Sequence, residues 1–233
     1  MADLSVRSTA SELMDLPSTS DQDYARCLRD LAALNWLTMT HRPALRWLDR
    51  ATANLPPGTA ISVLDVACGH GDLLRAIHAW AARRGLRAVL EGIDLNPRST
   101  AVATAATPEA MAITYRTVDV FAYQPRPMPD IIVSSQFAHH LTDAELVRFL
   151  IWLERRAARG WFIADLHRHW APYYGFRLLA WAAGWHRIVR FDGTVSIARG
   201  FRRADWIAAL AALGLTAEIK WHPMFRYGVG RLK

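Results

Sequence analysis

The chain has 233 residues, 52% of them hydrophobic, and carries a formal net charge of +7. That length suits one domain with a sizeable core, or one domain with an appendage. No apolar run approaches the roughly 20 residues of a membrane span, and the opening residues lack the apolar segment of a secretion signal, so we expect a cytoplasmic protein. Cys27 and Cys68 offer neither a disulfide framework nor the spacing of a metal site.

The residues before the first strand predict a tail and two helices. Residues 1–20 are small and polar, which is typical of a mobile tail. Apolar residues recur at helical spacing from Asp21 to Leu37, and Pro43 suits the first turn of a second helix. We expect residues 21–55 to form a helical cap over one edge of the main domain, which spans residues 56–233.

The segment from Val63 to Leu74 has the pattern of a strand, a glycine loop and a helix. An apolar strand contains Asp65 near its end, Gly69 and Gly71 follow, and an amphipathic stretch begins at Leu73. Glycines at these positions let backbone N–H groups approach a ligand closely, because glycine has no Cβ. The pattern therefore predicts a nucleotide-binding loop.

Two details narrow the class of nucleotide. A dinucleotide fingerprint requires Gly or Ala three residues after the second glycine, where this chain has Leu74, and a P-loop requires Gly-Lys-Ser/Thr, which the segment lacks. Asp65 lies four residues before the first glycine, at the carboxyl end of the predicted strand, where it would face an amine of the ligand. These features weaken the NAD(P) interpretation and exclude the P-loop.

From about Ala60 to Lys233 the chain resembles the class I S-adenosylmethionine-dependent methyltransferases. Their first motif reads apolar-apolar-acid-apolar-small-small-Gly-x-Gly, as in the segment from Val63 to Gly71. The resemblance implies that Asp94, at the end of a second strand, accepts the two hydroxyls of the cofactor ribose. It assigns to the cofactor Asp65, Ala67, Cys68, Gly69, Gly71, Asp94, Leu95, Asp119, Val120, Ser135 and Gln136.

Apolar and helical segments alternate along the main domain, which predicts an α/β fold with a doubly wound sheet. Thr142 and Glu145 form a capping-box pattern that predicts the start of a helix over residues 143–158. Residues 215–221 and 225–232 predict a terminal antiparallel pair. The resemblance implies a Rossmann-like, mostly parallel sheet of seven strands whose last strand is antiparallel.

An aromatic helical insertion, residues 166–200, follows the fifth predicted strand. It contains three tryptophans and two tyrosines: Trp170, Tyr173, Tyr174, Trp181 and Trp185. In an open α/β sheet this connection leaves from the edge where ligands bind, so it can form a lid over a flat acceptor. The core of the insertion and a homodimer face explain the same residues equally well. Within the insertion, residues 192–196 have the composition of a turn.

Histidines are the candidates for the chemistry. Methyl transfer is an in-line displacement that depends mainly on alignment, and a neutral imidazole can remove the proton of an acceptor hydroxyl. The turn after the fourth predicted strand carries His139, which we expect to face the acceptor, and His140, which we expect to bind its own loop. His167 is a third candidate. Asp165, His167 and His169 alternate on one face, yet we expect no metal site, because methyl transfer needs none.

The class of acceptor is inferred from the distribution of positive charge and from the sequence of the turn before these histidines. The arginines are scattered along the chain, so we interpret the positive charge as a solvated surface rather than a nucleic-acid footprint. Residues 134–137 also lack the Asn/Asp-Pro-Pro-aromatic turn that grips a flipped base. We expect O-methylation of a small, aromatic or polyketide-like molecule. A methyltransferase of RNA or protein and a non-catalytic nucleotide-binding module are the alternatives.

Overall fold

The computed structural model describes residues 3–185 and 187–233. Its centre is a sheet of seven strands in the order β3-β2-β1-β4-β5-β7-β6. The strands are β1 Ala60–Val66, β2 Arg87–Asp94, β3 Thr114–Thr117, β4 Ile131–Ser135, β5 Gly160–Leu166, β6 Glu218–His222 and β7 Arg226–Leu232. β7 is antiparallel to both of its neighbours, whereas the pairs from β3 to β5 are parallel. The predicted fold class is confirmed.

Helices cover both faces of the sheet. They are α1 Asp21–Leu37, α2 Arg42–Ala51, α3 Asp72–Arg83, α4 Pro97–Ala106, α5 Asp143–Arg156, α6 Trp170–Ala182, α7 Arg187–Arg199 and α8 Arg203–Ala211. The predicted capping box of α5 is confirmed, with Thr142 and Glu145 each bonding the backbone of the other. α4 was not predicted, because its small residues form no apolar stripe. Within the described part of the chain, no helix is long and apolar enough to cross a membrane.

The two faces of the sheet bury separate hydrophobic clusters. On one face Phe149 of α5 and Trp206 of α8 pack with Trp161 of β5, and all three are fully buried. On the other face Ile77 of α3 packs with Phe162, the next residue along β5. Successive residues of β5 therefore pack into the hydrophobic clusters on opposite faces of the sheet. Because both faces are buried, the central strands have continuous apolar sequences.

The two N-terminal helices do not form a single cap. Trp47 of α2 stacks on Phe162 with ring centroids 5.5 Å apart, so α2 packs on the face of the sheet. Only α1 lies at the carboxyl edge of the strands, where Leu28 and Asn35 line a cavity. The expected cap is thus corrected to one helix, because the apolar side of α2 is occupied by the core.

The segment before α1 is packed against the domain. Arg7 donates hydrogen bonds to the carbonyl oxygens of His139 and Leu141, and its guanidinium lies 3.7 Å from the ring centroid of Phe201. The backbone N–H groups of Leu13 and Met14 donate to a carboxylate of α7. Residues 3–20 therefore differ from the mobile tail that their polar composition predicts, because those polar groups bond to the domain.

The expected turn over residues 192–196 is wrong, since these residues lie inside α7. Asp192 is the carboxylate that accepts the N–H groups of Leu13 and Met14. A Cβ on Gly193 would overlap the ring of Phe176 on α6, so this glycine permits close packing of the two helices. Tertiary contacts therefore override the turn composition of the segment.

The core contacts predict a large difference between two tryptophans. Trp206 is fully buried between α8 and the sheet, whereas Trp36 at the end of α1 is exposed. Trp206→Ala should lower the free energy of unfolding by about 3–5 kcal/mol, because it leaves a cavity. Trp36→Ala should change it by no more than about 0.5 kcal/mol. Urea denaturation of both variants checks this, and equal losses would contradict the assigned core.

Candidate active site

The glycine loop between β1 and α3 is held in place by hydrogen bonds that its backbone N–H groups donate. Ala67, Gly69 and Gly71 all have positive φ, of 58°, 50° and 74°. The N–H of Gly69 donates to a carboxylate oxygen of Asp94 at 3.0 Å, and the N–H of Gly71 donates to the carbonyl of Cys68 at 2.7 Å. Asp94, at the end of β2, therefore fixes the loop that β1 supplies.

The two glycines of the loop have different roles. A Cβ on Gly69 would make only an ordinary contact with Leu28 at 3.9 Å, so the positive φ of Gly69 rather than its size requires glycine. A Cβ on Gly71 would overlap the hydroxyl of Tyr115, and Gly71 does not line the cavity. Gly71 is therefore needed for packing and for starting α3, which differs from the cofactor contact that the family resemblance implies.

A single cavity of about 860 Å³ extends from the glycine loop to the turn after β4. We call it the chamber. All the residues assigned to the cofactor except Gly71 line it, as do His139 and His140. The carboxyl ends of β1, β2 and β4 meet here because parallel strands end at one edge of the sheet. This volume is at the upper end of the range for small-molecule sites.

Three carboxylates surround the loop. Asp65 is buried, and its Oδ1 has no hydrogen-bond partner. Burial, together with the negative charges of Asp72 and Asp94, raises the pKa of Asp65 well above its usual value. Burial also raises the pKa of Asp94, although N–H groups of Asn96 and Gly69 oppose the shift. A cationic ligand group beside Asp65 would satisfy the unpartnered oxygen and favour its ionised form.

Asp72 differs from the other two carboxylates because it has partners. It accepts hydrogen bonds from Asn35 of α1 at 3.0 Å and shares one with His41 at 2.9 Å. Burial alone would raise the pKa of Asp72, but His41 and Asn35 outweigh it and lower the pKa to about 2. Asn35 also accepts a hydrogen bond from Gln136. α1 is thereby tied to both sides of the chamber.

His139 lies between two carboxylates beneath the turn after β4. Its Nδ1 is 2.7 Å from Asp165 Oδ1, its backbone N–H donates to Asp165 Oδ2, and its Nε2 is 3.6 Å from Glu12 Oε1. Burial alone would lower the pKa of His139, but Asp165 and Glu12 outweigh it and raise the pKa to about 9. His139 is therefore an imidazolium near neutral pH.

His140 differs from His139 in both exposure and protonation. Its side chain is 30% exposed against 3% for His139, and the two rings lie 4.4 Å apart. Burial and the positive charge of His139 lower the pKa of His140 to about 4. A neutral imidazole thus faces the chamber, with Glu12 3.7 Å and Asp15 3.9 Å from its ring nitrogens. We expected His139 to face the acceptor and His140 to bind its own loop. In the structure His139 is the enclosed residue and His140 is the more exposed one.

His167 is not brought to the chamber. Its ring packs against Tyr227 at 4.8 Å and against His169 at 5.4 Å, outside the cavity lining. The predicted face of alternating residues, Asp165, His167 and His169, does not form a cluster either. Asp165 pairs with His139 instead. This corrects the expectation that His167 approaches the acceptor. Its pKa is lowered to about 4 by burial and by the nearby cations.

Sequence reasoning missed Glu12 and Asp15, and placed Asp165 in another group. Asp165 could have been found, because β4 and β5 are parallel neighbours whose carboxyl ends share one edge. Glu12 gives no such signal, since its segment reads as a tail. Among the described residues, Glu12, His139 and His140 have ligand atoms within 4.8 Å of one another. Both ring nitrogens of His139 carry a proton near neutral pH, so they have no lone pair to offer a metal ion.

Comparison with known proteins identifies one part of this domain. Residues 63–160 match the family model described as a methyltransferase domain. This part of the chain is a methyltransferase domain. The matched residues run from β1 to the start of β5, so they include the glycine loop, Asp94 and the histidine turn of this methyltransferase.

Solved structures of other methyltransferases share the fold. The plantazolicin methyltransferase in complex with a desmethyl analogue and SAH is 13% identical, with a TM-score of 0.67 and 91% of each chain covered. Magnesium protoporphyrin IX methyltransferase from Synechocystis is 19% identical, with a TM-score of 0.56, covering 84% of this chain and 83% of that one. Human N-acetylserotonin methyltransferase is 12% identical, with a TM-score of 0.62, covering 92% and 56%. No curated protein matches this methyltransferase in sequence.

The pKa of His139 predicts how the stability of the methyltransferase depends on pH. A pKa raised from 6.5 to about 9 contributes stability that is complete below pH 6.5 and is lost as the pH rises through 9. The free energy of unfolding should fall by roughly 2 kcal/mol between pH 6 and pH 8.5. Asp165→Asn should flatten this dependence, because it removes the strongest ion pair. Urea denaturation across that range checks both, and an unchanged slope in the variant would exclude the assignment.

Proposed function

We propose that this methyltransferase transfers the methyl group of S-adenosylmethionine to a hydroxyl oxygen of a small, aromatic or polyketide-like acceptor. The observation that carries the proposal is the unpartnered, buried Oδ1 of Asp65, which lies in the same chamber as the glycine loop and the histidine turn. A buried carboxylate without a partner costs free energy unless a cation pairs with it. S-adenosylmethionine carries such a cation, its ammonium group.

The residues around the loop fit the rest of the cofactor. Asp94 uses one lone pair of each oxygen for the N–H groups of Gly69 and Asn96, which leaves acceptor capacity for the ribose hydroxyls. Leu95 and Val120 line the adjacent part of the chamber and offer apolar contacts for adenine. The carboxylates also favour the positive sulfonium over the neutral thioether that remains after transfer. S-adenosylmethionine supplies the electrophilic methyl group.

The far end of the chamber is suited to the acceptor. Met14, Leu31 and Phe137 line the chamber together with polar groups of the histidine turn. Apolar walls with a few placed polar groups are typical of sites for small molecules. The structural neighbours methylate magnesium protoporphyrin IX, plantazolicin and N-acetylserotonin, and this range supports a small-molecule or peptide-like acceptor. The basic surface is then a solvated one, and no nucleic acid is required.

His140 is the proposed base. As the acceptor oxygen forms its bond to the methyl carbon, the bond from that carbon to sulfur breaks, and the hydroxyl proton moves to the neutral ring of His140. The imidazolium that forms lies near the carboxylates of Glu12 and Asp15, which stabilise it. Holding oxygen, carbon and sulfur on one line supplies most of the acceleration.

His139 is assigned a positioning role in place of the acceptor contact first expected for it. Both of its ring nitrogens face carboxylates, and it is already protonated near neutral pH, so it cannot accept the proton. Its positive charge keeps the pKa of the neighbouring His140 low and therefore keeps that ring neutral. His167 has no role in this scheme because it lies outside the chamber.

The cofactor assignment predicts an unusual pair of effects for Asp65→Asn. Affinity for S-adenosylhomocysteine should fall by about 10- to 100-fold, because a charge-assisted pair with the ammonium is worth roughly 1.5–3 kcal/mol. Stability without ligand should stay the same or rise, because an unpaired buried carboxyl is removed. Calorimetry and urea denaturation measure the two effects. Glu109→Ala, an exposed acid on a distant turn, is the control. Unchanged affinity, or tight NADH binding instead, would overturn the proposal.

The base assignment predicts a distinctive pH profile with an acceptor whose hydroxyl stays protonated. If His140 is the base, the single-turnover rate is flat between pH 6.5 and 8.5, because a pKa of about 4 leaves the ring neutral throughout. If His139 were the base, the rate would rise with pH through about 9.

The same assay with variants separates the two histidines. His140→Ala should lower kcat by ~10²–10⁴-fold with cofactor affinity changed by no more than a few-fold. His78→Ala, on α3 and outside the chamber, is the matched control and should leave kcat unchanged. A mild effect of His140→Ala, combined with a rate that rises with pH, would assign the role of base to His139.

A further inference from the structure

α6 exposes a continuous apolar stripe. Trp170, Tyr174, Leu178 and Trp181 are 65%, 38%, 67% and 65% exposed. Their spacing of four, four and three residues places them along one side of the helix. The other side packs on α7, where Phe176 lies against Gly193 and Ala180 is fully buried. We call these four residues the α6 stripe.

The stripe serves neither the chamber nor the core. Ser196 of α7 is the single chamber-lining residue that the structure describes in the aromatic insertion, and none comes from α6. The stripe continues instead over the surface through ring contacts. His169 contacts Trp170 at 5.4 Å and Phe225 at 5.3 Å, and Phe225 contacts the exposed Trp221 at 5.8 Å. An apolar patch this extended on a protein surface marks an interaction site.

The exposed charges of α6 and α7 indicate what binds there. Arg177, Arg187 and Arg190 are exposed on α6 and α7. The one acid in the insertion is Asp192, which is buried and accepts backbone N–H groups of the N-terminal segment. Every exposed formal charge of the described insertion is therefore positive. A second copy of the chain docked by the same face would bring like charges together, whereas a negatively charged surface would complement them.

We propose that the α6 stripe docks this protein on the surface of a lipid bilayer that contains anionic lipids. Tryptophan and leucine side chains would enter the boundary between head groups and acyl chains, while the three arginines contact anionic head groups. Tryptophan favours this boundary because its ring is apolar and its N–H is polar. The proposal concerns where the enzyme works and does not depend on the identity of its acceptor.

Co-sedimentation of the full chain with vesicles tests the apolar part. We expect binding to vesicles of phosphatidylcholine mixed with phosphatidylglycerol, and weaker binding to phosphatidylcholine alone. The double variant Leu178→Ser/Trp181→Ser should reduce the partition coefficient at least about tenfold, because each side chain contributes substantial apolar burial. Ile207→Ser, an exposed apolar residue on α8, is the matched control and should bind like the parent protein.

Charge variants test the electrostatic part. Arg177→Gln/Arg187→Gln/Arg190→Gln should remove the preference for anionic vesicles. Arg83→Gln/Arg155→Gln/Arg159→Gln changes the net charge equally at exposed positions elsewhere and should retain the preference. Equal losses in both triple variants would show attraction by net charge alone and would overturn the proposal.

Two further outcomes would also overturn it. One is the absence of vesicle binding by the parent protein. The other is a dimer in sedimentation equilibrium that Leu178→Ser dissociates, which would assign the stripe to a second copy. Affinity for S-adenosylhomocysteine is measured for every variant and should stay within a factor of two of the parent. Failure of docking is thereby distinguished from misfolding and from failure of the proposed methyl transfer.

Discussion

A buried imidazolium between two carboxylates organises the histidine end of the chamber. His139 belongs to the turn after β4, Asp165 to β5 and Glu12 to the N-terminal segment. Removing one partner from such a group leaves an uncompensated charge in the interior, so each of the three segments holds the others in place. Ser196 adds α7 to the group through a hydrogen bond to Glu12 at 2.6 Å. The histidine end of the chamber therefore depends on four parts of the chain.

The chamber has carboxylates at both of its ends. Asp65 and Asp94 lie at the glycine-loop end, and at the other end Glu12 and Asp165 flank the imidazolium of His139. The proposed reaction moves positive charge in this field, because a sulfonium becomes a neutral thioether and His140 becomes an imidazolium. Loss of the sulfonium charge weakens the attraction of the carboxylates for the product compared with the substrate. The arrangement favours exchange of spent cofactor.

The sequence predicts those features that depend on local pattern. β1, β4 and β5 are continuous apolar runs because both of their faces are buried, and the loop after β1 shows glycines at fixed spacing. Features that depend on distant partners were not predictable in the same way. Glu12 lies in a polar segment whose packing depends on Asp192 and Arg199, more than 170 residues away. The exposure of His139 and His140 likewise depends on Asp165, which no local pattern reports.

The position of Glu12 in the sequence has a consequence for the order of folding. Glu12 is synthesised long before its partners His139 and Ser196, which belong to the second half of the chain. Contacts between residues so far apart form late, because closing the long intervening loop costs entropy. The sheet from β1 to β4 can assemble around the glycine loop first, and the histidine end of the chamber is completed only after α7 has emerged from the ribosome. Completion of the chamber is thus a late event in the biosynthesis of this protein.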